Sequence, residues 1–172
     1  MTRFNTTAAA FGTTEHDHQR CQERALGEAE ALCEKRGLRL TEIRRAVLEI
    51  VWNRHAPVGA YDILDTLSND RGRIAPPTVY RALDFLLGQG LIHRIESLNA
   101  YVGCPVPGEK HISQFLICRD CGSAAEVSDP AIDQAIDSVL AHLKFEAGRR
   151  TLEIEGLCGR CQRPHSEKAG GQ

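Results

Sequence analysis

Apolar residues recur at helical spacing through "TEIRRAVLEIVWNRH", where Ile43, Val47, Ile50 and Val51 fall on one face behind a capping Thr41. The pattern before it, "CQERALGEAEALCEKRG", predicts a helix that stops at Gly37. "GAYDILDTLSND" predicts a short third helix with Ile63, Leu64 and Leu67 inward. "RGRIAPPTVYRALDFLLGQG" predicts a fourth, entered at its prolines and stopped by Gly88 or Gly90. The period then changes. "LIHRIE" and "AYVGC" read as two short strands joined at "SLN". Helices followed by a hairpin are the outline of a winged helix-turn-helix.

"PVPG", residues 105–108, breaks the pattern and reads as a hinge. Beyond it lie a strand in "HISQFLIC", a second around Ala124–Val127, a helix "DPAIDQAIDSVLAHL" capped by Ser128, and a last strand "RRTLEIEGLC". That helix carries Ile132, Ile136, Val139, Leu140 and Leu143 on its apolar face. The expected fold class is therefore α+β: an N-terminal winged helix-turn-helix domain and a small C-terminal α/β domain. The expected boundaries are a flexible tail at 1–20, the winged-helix domain at 21–103, the hinge at 104–108, the second domain at 109–163 and a second tail at 164–172. A unit as small as the second rarely holds itself together on its own core, which favours a structural metal or a partner subunit.

Composition narrows the picture. At 172 residues, with 42% hydrophobic and 26% charged, the chain suits a soluble protein with a real core. No apolar stretch approaches the ~20 residues that span a bilayer. The first twenty residues lack the apolar centre of a secretory signal, so a cytoplasmic protein without a membrane partner is expected. The net charge of −2 conceals an asymmetry. From Glu34 to Glu96 there are ten Lys/Arg against eight Asp/Glu; from Cys104 to Cys161 there are six against nine. The first half is mildly basic, which is compatible with a nucleic-acid face without establishing one.

Seven cysteines in a reducing compartment point to metal or catalysis before disulfides. Cys118-x-x-Cys121 and Cys158-x-x-Cys161 together offer the four thiolates of a closed, structural zinc site. The competing reading is a thiol oxidoreductase. A redox couple needs only one pair, placed where a strand meets a helix N-terminus, and here both pairs fall at turns. A second set remains: His93 in the hairpin, Cys104 at its exit, His111 beyond the hinge, and Glu126 after the first pair. Two imidazoles, a thiolate and a carboxylate suit tetrahedral zinc. Taken singly, each also fits a surface histidine, a small buried thiol or a solvated charge.

"AYDILDTL", "PPTVYRALDFLLGQGLIHRIESLNAYVGC" and "FLICRDCG" resemble the ferric uptake regulator family, over roughly residues 25–161. The resemblance implies a metal-responsive, homodimeric DNA-binding repressor without a small-molecule substrate, the second domain serving dimerisation. It implies a structural zinc on Cys118, Cys121, Cys158 and Cys161 and a regulatory zinc on His93, Cys104, His111 and Glu126, two zinc ions per chain. The thiolate of Cys104 favours zinc over the harder iron or manganese, leaving an iron, manganese or peroxide sensor of the same fold as the alternative. The implied target is palindromic A/T-rich operator DNA of zinc-uptake genes. The histidine-rich stretch of iron-sensing relatives is reduced here to "EKHISQ", and His16, His18 and His142 read as solvated.

The second helix of such a motif leads into the major groove. Val79, Leu83 and Leu86 make its inward stripe, leaving Thr78, Tyr80, Arg81 and Asp84 for the groove. Arg81 is suited to a guanine edge and Tyr80 to a thymine methyl or a phosphate. The resemblance supports Tyr80, Arg81 and Tyr61. Arg39, Arg44, Arg71 and Arg73 are candidates for phosphate contacts, which orient without specifying. Some family members carry a lysine where Ala75 stands, and Arg73 is the nearby residue able to substitute.

Overall fold

A computed structural model describes residues 5–6, 18–53, 56–108, 112–148 and 150–162. The chain forms two compact units, one within Thr14–Lys110 and one from His111–Gln172 together with Met1–Thr13.

The first unit contains helices α1 (His18–Lys35), α2 (Glu42–Trp52), α3 (Ala60–Arg71) and α4 (Pro76–Gly88). Helix α1 begins at His18, inside the stretch expected to be a tail. Thr41 caps α2 through its hydroxyl, which accepts from the Arg44 N–H at 3.5 Å. The prolines open α4 at its first two positions. Its end is a Schellman closure: Gly90 sits at φ 68°, its N–H reaching Leu87 O and that of Leu91 reaching Leu86 O, both at 3.0 Å. The core is built from the stripes read in the sequence, with Val47, Val51, Ile63, Leu67, Val79, Leu83 and Leu86 buried. Strands β3 (Ile92–Ile95) and β4 (Ala100–Gly103) form the hairpin, and a short β2 (Val58–Gly59), not evident in the sequence, pairs with the far side of β4.

Among its described residues, the second unit is a sheet with one helix. Its strands are β5 (Ser113–Cys118), β6 (Ala124–Ser128) and β7 (Thr151–Gly156), with α5 (Pro130–His142) between β6 and β7. Strands β5 and β6 are antiparallel, whereas β7 returns parallel to β5, so Cys118 stands opposite Gly156. A two-residue strand β1, Asn5–Thr6, pairs with the free edge of β6; these residues belong to the stretch expected to be a flexible tail. The cap of α5 is Asp129 and not the expected Ser128: Asp129 Oδ1 accepts from Ala131 N at 2.8 Å, because Ser128 is still held in β6. Gln114 is the buried polar side chain among the described residues, and its amide nitrogen reaches Asp133 Oδ1 at 2.8 Å, tying β5 to the first turn of α5.

Candidate metal centres and nucleic-acid interface

The parallel pairing of β5 and β7 brings two strand ends to one edge, and each end runs directly into a Cys-x-x-Cys turn. Arg119 N donates to Gly156 O at 3.0 Å, and Cys158 N donates to Cys118 Sγ at 3.3 Å, locking the two turns together. One ligand atom from each of Cys118, Cys121, Cys158 and Cys161 lies within 4.8 Å of the others. Cys121 Sγ and Cys158 Sγ are 3.8 Å apart. A tetrahedron with Zn–S near 2.3 Å has edges of about 3.8 Å, so the set fits a zinc ion. The thiols also differ electrostatically. Backbone N–H groups of Cys121 and then Cys158 draw the Cys118 thiol down to about 6, while the Asp120 carboxyl beside Cys161, together with burial, pushes that thiol up. Ser123 lowers Cys121.

In the first unit, His93 lies on β3 opposite Val102, and Cys104 follows β4 with its N–H on Leu91 O at 3.0 Å. Strand alternation puts Leu91, His93, Val102 and Cys104 on one face. A ring nitrogen of His93 and Cys104 Sγ lie within 4.8 Å of each other, a spacing that two ligands of one ion require. Glu126 lies on β6 of the second unit, opposite Phe115. His111 lies outside the described residues.

The face of α4 away from its buried stripe presents Thr78, Tyr80, Arg81 and Asp84, all exposed. Tyr61, at the start of α3, is 72% exposed. Arg73 is also exposed. Arg44 has partners within the unit: its guanidinium lies over the Phe85 ring and donates to Arg39 O at 2.6 Å, bracing α2 against α4. Arg71 pairs with Glu42 at 3.7 Å. In the hairpin, Arg94 donates to Asn99 Oδ1 at 2.8 Å, fixing the turn where Asn99 adopts φ 47°. Sequence reading did not identify Phe85 as the ring beneath Arg44, since helical periodicity marks it only as apolar.

The model of the ferric uptake regulator family matches residues 35–155. The chain belongs to the ferric uptake regulator family. Among its relatives, the zinc uptake regulation protein of Escherichia coli (strain K12) is 38% identical over 137 residues, covering 79% of this chain and 80% of the relative. A solved zinc uptake regulator in complex with zinc and DNA is similar at a TM-score of 0.78 with 37% identity, covering 81% of this chain and 94% of that one. The holo form of XcZur gives a TM-score of 0.73 with 43% identity over 79% of this chain and 95% of that one. As in those ferric uptake regulator relatives, the N-terminal unit here is a winged helix. No described helix is long and apolar enough to cross a membrane.

Proposed function

We propose that this chain is a zinc-responsive, DNA-binding transcriptional repressor of zinc-uptake genes, cytoplasmic and homodimeric, without catalytic activity. The observation that carries the proposal is the His93–Cys104 pair on one face of the wing hairpin, inside the unit that presents α4. A soft thiolate beside an imidazole selects zinc. In this reading Cys118, Cys121, Cys158 and Cys161 hold a structural zinc. His93, Cys104, His111 and Glu126 hold a regulatory zinc, with ligands on both sides of "PVPG". Zinc supplies a charge that fixes its ligands in one arrangement. Without it, only a fraction of dimers have both recognition helices suitably set, and apparent DNA affinity falls by that fraction. By linkage, operator DNA tightens zinc to the same degree.

On the DNA side, Thr78, Tyr80 and Arg81 face base edges, while Tyr61 and Arg73 contact the backbone of a palindromic A/T-rich site. Helix α5 has no buried residue, and Val139, Leu143 and Phe145 are 58%, 67% and 63% exposed, which suits a surface that a second copy covers.

The test is metal analysis before and after mild chelation, paired with binding to a palindromic A/T-rich duplex. One zinc per chain should resist chelation and one should leave, and DNA affinity should fall with the second. Retention of full affinity after that loss would overturn the proposal.

A further inference from the structure

The last residue of α2 is Trp52, and its indole occupies the space beside Gly103. A Cβ built on Gly103 would lie 2.2 Å from Trp52 Cε2, 2.5 Å from Nε1 and 2.6 Å from Cζ2. A side chain there would force the indole to move. The constraint is spatial and not conformational, because Gly103 is absent from the positive-φ glycines. The sequence offers one tryptophan, and the fold sets it against the one glycine of β4.

Gly103 immediately precedes Cys104, and strand alternation turns their substituents to opposite faces. One face of this short stretch is packed by Trp52. The other delivers the Cys104 sulfur toward His93, with the Cys104 N–H on Leu91 O closing the hairpin. Displacing the strand from the Trp52 side therefore moves the sulfur relative to the imidazole. Helix α2 itself packs against both β4 and α4, and Arg44 on α2 stacks on Phe85 of α4. The segment that carries the sulfur and the helix that reads DNA thus rest on the same support.

We propose that Trp52 is a positioning residue for the regulatory metal: through its contact with Gly103 it fixes Cys104 at ligating distance from His93 and links that ligand to α2. The proposal rests on Cys104 being a zinc ligand. It extends that reading by naming what holds the ligand in place and by assigning the size of residue 103 a role in metal response.

The experiment uses the full-length chain with its four-cysteine zinc retained and cobalt(II) added to the regulatory site, comparing wild type, Gly103→Ala, Trp52→Phe, Trp52→Ala, the Gly103→Ala/Trp52→Ala double variant and Cys104→Ser. The readouts are the sulfur-to-cobalt charge-transfer band, Trp52 emission and the metal concentration at half-maximal DNA binding. Overpacking at Gly103 should weaken the band and raise the half-maximal concentration about tenfold or more. Removing the indole in the double variant should relieve the clash and bring both readouts back to the Trp52→Ala level, and Trp52→Phe should stay nearer wild type than Trp52→Ala. Wild-type Trp52 emission should change on metal addition, and that change should vanish in Cys104→Ser.

If Gly103→Ala fails to fold, Trp52→Ala, which opens space without a clash, decides in its place: a wild-type band and midpoint would overturn the proposal. The same result for a folded Gly103→Ala would also overturn it, as would a double variant no better than the single one. A charge-transfer band that persists in Cys104→Ser would instead remove Cys104 from the site, overturning the underlying zinc reading on separate grounds.

Discussion

Arg44 Cζ lies 3.5 Å from the centroid of the Phe85 ring, joining the first turn of α2 to α4 through a cation–π contact. The same guanidinium donates to Arg39 O, so the side chain is held at both its planar face and its edge. Arg44→Leu should lower unfolding stability by about 1 kcal/mol, in the range for a partly exposed cation over an aromatic ring. Thermal melts read this directly. If Arg44 acts on α4 as a brace alone, DNA affinity should fall without a change in its salt dependence. A reduced salt slope would identify it as a phosphate contact.

Arg81 and Arg73 should behave differently from each other. Arg81→Ala should cost about 1–3 kcal/mol of operator binding and relax preference at one base pair. Arg73→Ala should weaken all duplexes alike and reduce the salt slope. Competition assays with single-base operator variants distinguish these outcomes.

The two cysteine groups should separate by phenotype. Cys158→Ser removes a member of the cage that joins β5 to β7 and should destabilise the second unit, seen as early loss of far-UV signal on heating. Cys104→Ser should leave a folded dimer with its cage zinc in place and abolish the zinc response of DNA binding. Equal unfolding of both would contradict the division.

The exposed apolar residues of the second unit predict a concentration-dependent defect. Phe145→Asp combined with Leu143→Glu should shift the dimer toward monomer in sedimentation velocity, and DNA affinity should fall with it. An unchanged sedimentation coefficient at micromolar concentration would place the dimer contact elsewhere.

Lys144 closes α5 in the left-handed region, φ 51°, where the Phe145 N–H returns to Leu140 O at 2.9 Å. A side chain there carries a steric cost that glycine avoids, so Lys144→Gly should gain about 1 kcal/mol of stability. Calorimetry should show a higher Tm at unchanged DNA affinity.

Much of this molecule was legible in the chain because its signals are local. Thr41, the Pro76–Pro77 entrance and Gly90 mark helix ends through geometry that acts within four or five residues, and the buried stripe of α4 follows one period. The α5 cap was misread by one position: Ser128 and Asp129 are both able caps, and only the extent of β6 decides between them. The adjacency of the two cysteine pairs depended on β5 and β7 being neighbours, which spacing permits and pairing establishes. Trp52 against Gly103 was not legible. That contact depends on where α2 ends relative to the register of β4, and no local pattern encodes a distance between elements so far apart in sequence. The Arg44–Phe85 contact was not legible for a related reason, since an arginine that braces and one that meets phosphate look the same in a sequence.

The side-by-side ends of β5 and β7 carry a consequence for how the chain tolerates being cut. Everything from Gly122 to Leu157, including α5, is a loop whose two mouths are sewn to one ion when zinc occupies the four cysteines. A protease nick near Lys144 then yields fragments that run apart on a denaturing gel yet travel as a single particle in native solution. Removal of the ion loosens the stitch.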